Sequence, residues 1–149
     1  MELNFQKILS PIQFNDPNSQ AALELAGQLA LKSKAQILLM HVMPSGLVIP
    51  DLPGYRELFA TDEGAVRREL EKMAESHLHD VSYEIVVKKG DPAEMIKLAA
   101  QELGADVIIM STHGRRGLSY FFMGSVAQKV VREAPCLVLT IRPQLSQSG

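Results

Sequence analysis

Five short runs rich in valine and isoleucine alternate with longer segments of helical periodicity along this chain of 149 residues. Such alternation is typical of βαβ units, in which a parallel sheet is buried between helices and its strands read as continuous apolar runs. The runs predict strands at 7–12, 36–42, 83–87, 107–110 and 137–141. Since the length matches the prior of roughly 150 residues per domain, we expect one α/β domain over 1–149, with an open five-stranded parallel sheet and helices on both faces.

Capping residues indicate where the helices between these strands begin and end. Asp16-Pro17 predicts the start of the first helix. Asp91-Pro92, with Glu94 three residues after the aspartate, has the arrangement of a capping box, and Gly104 predicts the end of that helix. The helices are therefore defined at their ends as well as by their apolar periodicity.

The last helix is predicted to start at Ser125 and to end at Ala134-Pro135. Four apolar residues are expected to face inward from it: Val126, Ala127, Val130 and Val131. The segment 43–62 holds three prolines and two glycines and predicts an unusually long surface loop with a short helical turn near 55–59. A lid or a surface for a partner stays open as an alternative for this segment. The segment 143–149 is interpreted as a loose tail.

Charge and cysteine content limit the classes of partner. Lys and Arg number 15 against 17 Asp and Glu, a formal charge of −2, which gives no electrostatic reason to expect a nucleic acid or an anionic membrane as a partner. Cys136 is the single cysteine, so an internal disulfide framework and a cysteine-based zinc site are excluded. No run approaches the roughly 20 apolar residues needed to cross a bilayer. We expect a cytoplasmic protein.

Glycines and polar residues follow the fourth predicted strand, in the segment 110–125. Ligands of open parallel sheets bind beyond the carboxyl ends of the strands. Gly114 and Gly117 allow the backbone to approach a ligand closely, and Gly124-Ser125 place free amides at a helix N-terminus, which favours an anion by about 0.3 to 1 kcal/mol. The pattern predicts a phosphate-binding loop, although neither the P-loop nor the G-x-G-x-x-G motif occurs. A flexible connection with an ordinary serine N-cap explains the same residues and stays open here.

This loop has the spacing Ser111-x2-Gly114-x9-Gly124-Ser125, and other segments of distinctive sequence accompany it. They are Ile8-Leu9-Ser10-Pro11-Ile12, His41-Val42, Gly90-Asp91-Pro92, Ala105-Asp106-Val107-Ile108-Ile109-Met110 and Ala134-Pro135-Cys136. In these segments the chain resembles the universal stress protein family, whose nucleotide-binding signature is G-x2-G-x9-G-[ST]. The resemblance extends over 7–141, nearly the whole chain.

The resemblance implies a sheet in the order 3-2-1-4-5 with four helices, and a homodimer joined through the final strands. It also implies a regulator or sensor of the stress response that binds ATP or a related adenine nucleotide, with Mg²⁺ accompanying the nucleotide. Adenine is expected near Val42 and the phosphates on the amides of Gly114, Gly124 and Ser125. The positions implied to surround the nucleotide are Pro11, Gln13, Val42, Met110, Ser111, Gly114, Gly124, Ser125 and Val126.

Two of these positions depart from the pattern of ATP-binding members, which usually have Asp at Gln13 and Gly at Ser111. Glutamine keeps its hydrogen-bonding capacity, but it lacks a carboxylate to help hold ribose or a phosphate-bound metal. A nucleotide-free member of the same fold that acts through protein partners therefore stays open as an alternative. No nucleophile, base or metal constellation follows the strand ends, so at most slow ATP hydrolysis is expected.

Overall fold

The computed structural model describes residues 4–14, 16–43, 62–112 and 124–142. Its elements in chain order are β1 Lys7–Pro11, α1 Pro17–Ser33, β2 Gln36–Met43, α2 Glu63–His77, β3 Tyr83–Lys89, α3 Pro92–Leu103, β4 Val107–Ser111, α4 Ser125–Glu133 and β5 Leu137–Ile141. Every predicted strand is present, and the ends differ from the prediction by at most two residues.

The strands form one sheet in the order β3-β2-β1-β4-β5, and all neighbouring pairs are parallel. The predicted α/β fold and strand order are therefore confirmed. In chain order, β2 and β3 are added on one side of β1, and β4 and β5 are then added on its other side. The strand order reverses between β1 and β4, and β3 and β5 form the two edges.

Helices cover both faces of the sheet, which explains why most residues of the central strands are apolar on both faces. On one face α1 and α2 pack over alternate strand residues, whereas α3 and α4 pack over the intervening ones on the other. Strand residues facing α1 and α2 include Ile8, Ile37, Leu39, Val107 and Ile109. Those facing α3 and α4 include Leu9, Leu38, Met40, Ile108 and Met110.

The predicted caps of the first and third helices are confirmed. The Asp16 side chain accepts a hydrogen bond from the Asn18 amide at 3.0 Å, and Asp91 accepts one from the Glu94 amide at 3.0 Å. α3 ends at Gly104, whose φ of 68° lies in the left-handed region that glycine adopts without strain.

The inward face predicted for α4 is wrong at one residue. Ala127 and Val130 are buried and Val126 packs partly against the core, but Val131 is 48% exposed. α4 packs on α3 and on the edge strand β5, so the sheet beneath it is too narrow to cover the full apolar stripe. Its N-cap is Gly124, which excludes the ordinary serine cap at Ser125.

Two predicted irregular segments lie largely outside the described residues. The long loop at 43–62 is bounded by Met43, which ends β2, and by Asp62, which caps α2; its remainder, 44–61, and the tail 143–149 are outside. Cys136 precedes β5 and is half-buried, and burial, followed by the nearby Asp106 charge, raises the pKa of its thiol. None of the described helices is long and apolar enough to span a membrane.

Candidate functional site

The described pairing of β1 with β4 stops short of the carboxyl edge of the sheet, and we call the position between the ends of these two strands the crevice. The ladder between β1 and β2 continues to the pair Pro11 and Met40. In contrast, the described pairs between β1 and β4 end at Leu9 and Ile108, before either strand is complete. The separation lies at the point where strand order reverses, which is where open α/β sheets bind their ligands.

The turn from β1 into α1 forms one wall of this crevice and is fixed by its backbone. The Ile12 amide donates to the Met40 carbonyl at 2.8 Å, extending the β1–β2 pairing beyond the strand. The Gln13 amide donates to Ser19 Oγ at 2.9 Å. The Gln13 side chain itself is exposed, so this turn presents an amide side chain to solvent on a fixed backbone.

His41, near the end of β2, contacts the same turn. Its Nδ1 lies 2.9 Å from the Ile12 carbonyl oxygen, and its ring centroid lies 4.5 Å from that of Phe14. Burial lowers the pKa of His41 below its ordinary 6.5, and the hydrogen bond to Ile12 opposes this shift with a smaller effect. The imidazole is therefore neutral at pH 7, and its proton is assigned to Nδ1 because a carbonyl only accepts.

On the other side of the crevice, Thr112 joins β4, β5 and α4. Its amide and its hydroxyl both donate to the Ile141 carbonyl, at 2.9 and 3.2 Å. Its own carbonyl accepts from the Gly124 amide at 2.7 Å. Thr112, which follows β4, and Gly124, which precedes α4, are thus hydrogen-bonded to each other.

The start of α4 differs from the starts of the other described helices. α1, α2 and α3 each have an aspartate N-cap whose side chain accepts an amide hydrogen bond. α4 has Gly124 at that position and no acidic residue in its first turn. Because a helix leaves its first amides without intrahelical partners and carries partial positive charge there, this start favours an anion.

Buried polar side chains are concentrated around the same edge. Among the described residues they are Ser10, Asp16, Ser19 and Thr112. Asp16 and Ser19 are hydrogen-bonded to each other at 3.3 Å, while Ser10 Oγ has no hydrogen-bond partner within the described part of the chain. Burial of a polar group is unfavourable unless it is hydrogen-bonded. At this edge, polar side chains nevertheless occupy buried positions that apolar residues fill in the rest of the described core.

An ion-pair network connects α4 to α3 beside the crevice. Lys129 on α4 lies 2.7 Å from the Glu94 carboxylate and 3.8 Å from that of Asp91. Lys97 bridges Glu94 and Glu133 at 3.2 and 3.0 Å. The hydrogen bonds from Lys129, and then from Lys97, lower the pKa of the Glu94 carboxyl. The network holds α4 against α3 with groups that are themselves paired.

The match to known proteins extends over the same elements. The universal stress protein family matches residues 4–142. The chain belongs to this family. A universal stress protein of Thermus aquaticus is 33% identical over 144 residues, which cover 93% of this chain and 99% of that protein.

Solved structures of universal stress proteins share the fold. One in complex with cAMP has a TM-score of 0.66 at 22% identity, covering 94% of this chain and 98% of the other. One from Arabidopsis thaliana with AMP bound has a TM-score of 0.65 at 22% identity, covering 97% and 95% respectively. At these identities the likeness establishes the fold.

The structure places eight of the nine positions implied by the family resemblance at the carboxyl edge. Val42 and Val126 are partly buried and pack against the buried cluster on the α3 and α4 face of the sheet, which contains Met110. Pro11 and Ser111 end their strands. Gln13, Gly124 and Ser125 lie on the two walls described above. The ninth position, Gly114, lies outside the described residues.

Four residues around the crevice were absent from the predicted site, and the sequence signals for them are uneven. Asp16 was predicted as a helix cap, and His41 appeared only as part of the family resemblance. Ser19 and Thr112 carried no signal of their own. A serine three residues after a capping aspartate is one usable clue, because it lies in the first helical turn beside the cap.

Proposed function

We propose that this member of the universal stress protein family binds an adenine nucleotide in the crevice between β1 and β4, with ATP as the expected form. The observation that carries the proposal is the start of α4. There Gly124 replaces the aspartate cap of the other three described helices, and the first turn holds no acid. The AMP and cAMP complexes of structural neighbours support the ligand class.

In this proposal, the phosphates bind the backbone amides that are not already hydrogen-bonded to described residues. The Gly124 amide donates to Thr112, so the phosphate contact implied for it passes to the first helical amides, those of Ser125 and Val126. A bond from a neutral amide to a charged phosphate contributes about 1.5 to 3 kcal/mol. The proposed role of Gly124 is then steric, because a residue without a side chain leaves room for the phosphate.

The adenine and ribose lie toward β1 and β2 in this proposal. Val42 is partly buried near the end of β2, where it packs against the apolar cluster that contains Met110, and it offers the base an apolar contact. Gln13 is exposed at the turn and offers amide donors and an acceptor to ribose or base. The described residues hold no group of three or more His, Cys, Asp or Glu that could bind a metal ion.

Calorimetry with ATP and AMP tests this site, together with native mass spectrometry of the purified protein. Gly124→Val should lower the affinity by about tenfold or more, since a branched side chain displaces the phosphate and removes charged hydrogen bonds. Gly64→Val, which places the same side chain in the first turn of α2, is the matched control. Unchanged affinity in folded Gly124→Val would rule out this phosphate site.

In this proposal the nucleotide-bound protein acts as a sensor or regulator in a stress response. If the unsubstituted protein binds neither nucleotide and carries none after purification, the alternative of a nucleotide-free member that acts through protein partners is favoured.

We also propose that the chain forms a homodimer through β5. This edge strand exposes Leu137 by 59% and Leu139 by 41%, and apolar edge strands are unfavourable unless paired or covered. The opposite edge strand, β3, instead ends in Lys88 and Lys89. The contrast supports β5 as the interface.

Light scattering over a dilution series tests the dimer. The unsubstituted chain should show twice its 16.4 kDa mass, and Leu137→Lys should shift it toward the monomer, because charge on an edge strand opposes pairing. Leu31→Lys is the control. Leu31 is also an exposed leucine, at 52%, but it lies beside Val81 and Ser82, which precede the opposite edge strand β3. A chain that is monomeric at micromolar concentration before substitution would contradict the proposal.

A further inference from the structure

The turn at 12–14 is held by contacts from two different elements. From α1, Ser19 Oγ accepts the Gln13 amide at 2.9 Å, and Ser19 in turn donates to Asp16 at 3.3 Å. From β2, His41 bonds the Ile12 carbonyl at 2.9 Å. Gln13 therefore lies between two fixed neighbours, although its own side chain is exposed.

The chemistry of His41 suits this contact and has no other described use. Neutral imidazole has one N–H donor, and here that donor is directed to the Ile12 carbonyl oxygen. The ring also packs against Phe14, with centroids 4.5 Å apart and the rings inclined by 38°. His41 thus fixes the residue before Gln13 by a hydrogen bond and the residue after it by ring packing.

We infer that His41 and Ser19 are positioning residues of the nucleotide site, which hold Gln13 at the crevice from β2 and from α1. The inference rests on the proposed function, because it assigns Gln13 to the ligand. A backbone segment that is fixed before binding loses no further freedom on binding, and affinity increases accordingly. His41 and Ser19 act through Gln13 and need no contact with the nucleotide themselves.

The main test compares two substitutions of His41 by titration with AMP at pH 8. His41→Leu removes the donor, and loss of one hydrogen bond that orders the site should weaken AMP binding by about fivefold. His41→Asn places an amide N–H at the position of Nδ1 without the ring, and it should keep affinity within about twofold of the unsubstituted chain. Rescue by asparagine separates the hydrogen bond from general packing.

Ser19→Ala provides the second arm, and it keeps the test decisive if His41→Leu does not fold. It removes the acceptor of the Gln13 amide and should weaken AMP binding by a similar factor of about five. Amide exchange at Gln13, measured without nucleotide, should be faster in Ser19→Ala and in His41→Leu. Tyr83→Phe is the control, because it removes a side-chain hydrogen bond of 2.7 Å to Glu71 at the amino end of the sheet.

The outcomes distinguish this inference from the function on which it rests. If the unsubstituted chain binds no adenine nucleotide, the proposed function fails and the inference fails with it. If that chain binds AMP and His41→Leu or Ser19→Ala binds it equally well, the inference alone is overturned. It is also overturned if His41→Asn is as weak as His41→Leu, since packing would then explain the loss.

Discussion

Helices α3 and α4 pack side by side on one face of the sheet, and both begin at its carboxyl edge, but their first turns are completed differently. In the first turn of α3, the Asp91 side chain accepts the Glu94 amide, Pro92 has no amide hydrogen to satisfy, and Glu94 adds a second carboxylate. α4 starts with Gly124 and has no acid in its first turn.

The difference teaches that a helix start is a potential binding site only where the chain leaves it incomplete. Every helix N-terminus favours an anion by its dipole. At α3, two carboxylates already use that preference, and an added phosphate would be repelled by them. At α4 no carboxylate among the described residues uses this preference. An anion is therefore favoured at the start of α4 and disfavoured at the start of α3, although both lie at the same edge of the sheet.

Conversion of the α4 start into an α3-like start should have the largest effect. Gly124→Asp provides a side-chain acceptor for the helical amides and places a negative charge against the phosphate. We expect nucleotide affinity to fall by about 10- to 100-fold, the loss of a charged hydrogen bond, while the free energy of unfolding increases by a few tenths of a kcal/mol as a better cap forms. Calorimetry with ATP and urea unfolding measure the two quantities.

The neutral variant Gly124→Asn separates capping from charge. It caps the helix as well as aspartate does, but it does not repel a phosphate electrostatically, so its affinity should lie between those of Gly124 and Gly124→Asp. Equal affinity in all three proteins would contradict the assignment of the phosphate to α4.

The reverse change, at α3, should affect stability and leave nucleotide affinity unaltered. Asp91→Ala removes the acceptor for the Glu94 amide, which costs about 1 kcal/mol and lowers Tm by about 2 to 4 °C. Calorimetric scanning and ATP titration of the same preparation test both halves. An affinity loss comparable to that of Gly124→Asp would mean that the two helix starts form a single site, and the comparison would fail.

The order of helices and strands could be predicted from the sequence, because the patterns that indicate each element lie within that element or directly beside it. The apolar runs of the central strands persist because helices cover both faces, and Asp16 and Asp91 are caps whose bonds reach only two or three residues along the chain. Val131 was misassigned because helical periodicity identifies an apolar stripe but not the width of the sheet beneath it. That width depends on α4 lying over the edge strand β5, a tertiary property.

The sequence predicts where the proposed site lies, but it does not predict the contacts that support the site. Parallel topology brings the strand ends together, and the family signature marks the segment from Ser111 to Ser125. The bonds that fix the walls join distant positions, however: His41 to Ile12 and Thr112 to Ile141 each span 29 residues. Nothing local in a histidine or a threonine indicates which carbonyl it will meet.

The smallest expected effect concerns the ion pairs that hold α4 to the completed start of α3. Lys129 and Lys97 lower the pKa of Glu94 below its ordinary 4.5, so the folded state binds this proton less readily than the unfolded state. Stability from Glu94 is therefore fully present above pH 4.5 and is lost as the pH falls through the lowered pKa. The groups are exposed and screened, so the effect is small and should decrease with salt.

Urea unfolding of the unsubstituted chain and of Glu94→Gln, at pH values from 6 to 3, measures this contribution. The unsubstituted chain should be the more stable of the two at pH 6, and the difference should shrink below pH 4.5 as Glu94 becomes protonated in both states. Glu69→Gln on α2, whose carboxylate contacts Lys72 at 3.3 Å, is the control for a single exposed pair and should show a smaller difference. A difference for Glu94→Gln that is constant with pH would show that its carboxylate charge does not hold the two helices together. The distinction between the helix starts would then rest on the caps Asp91 and Gly124 alone.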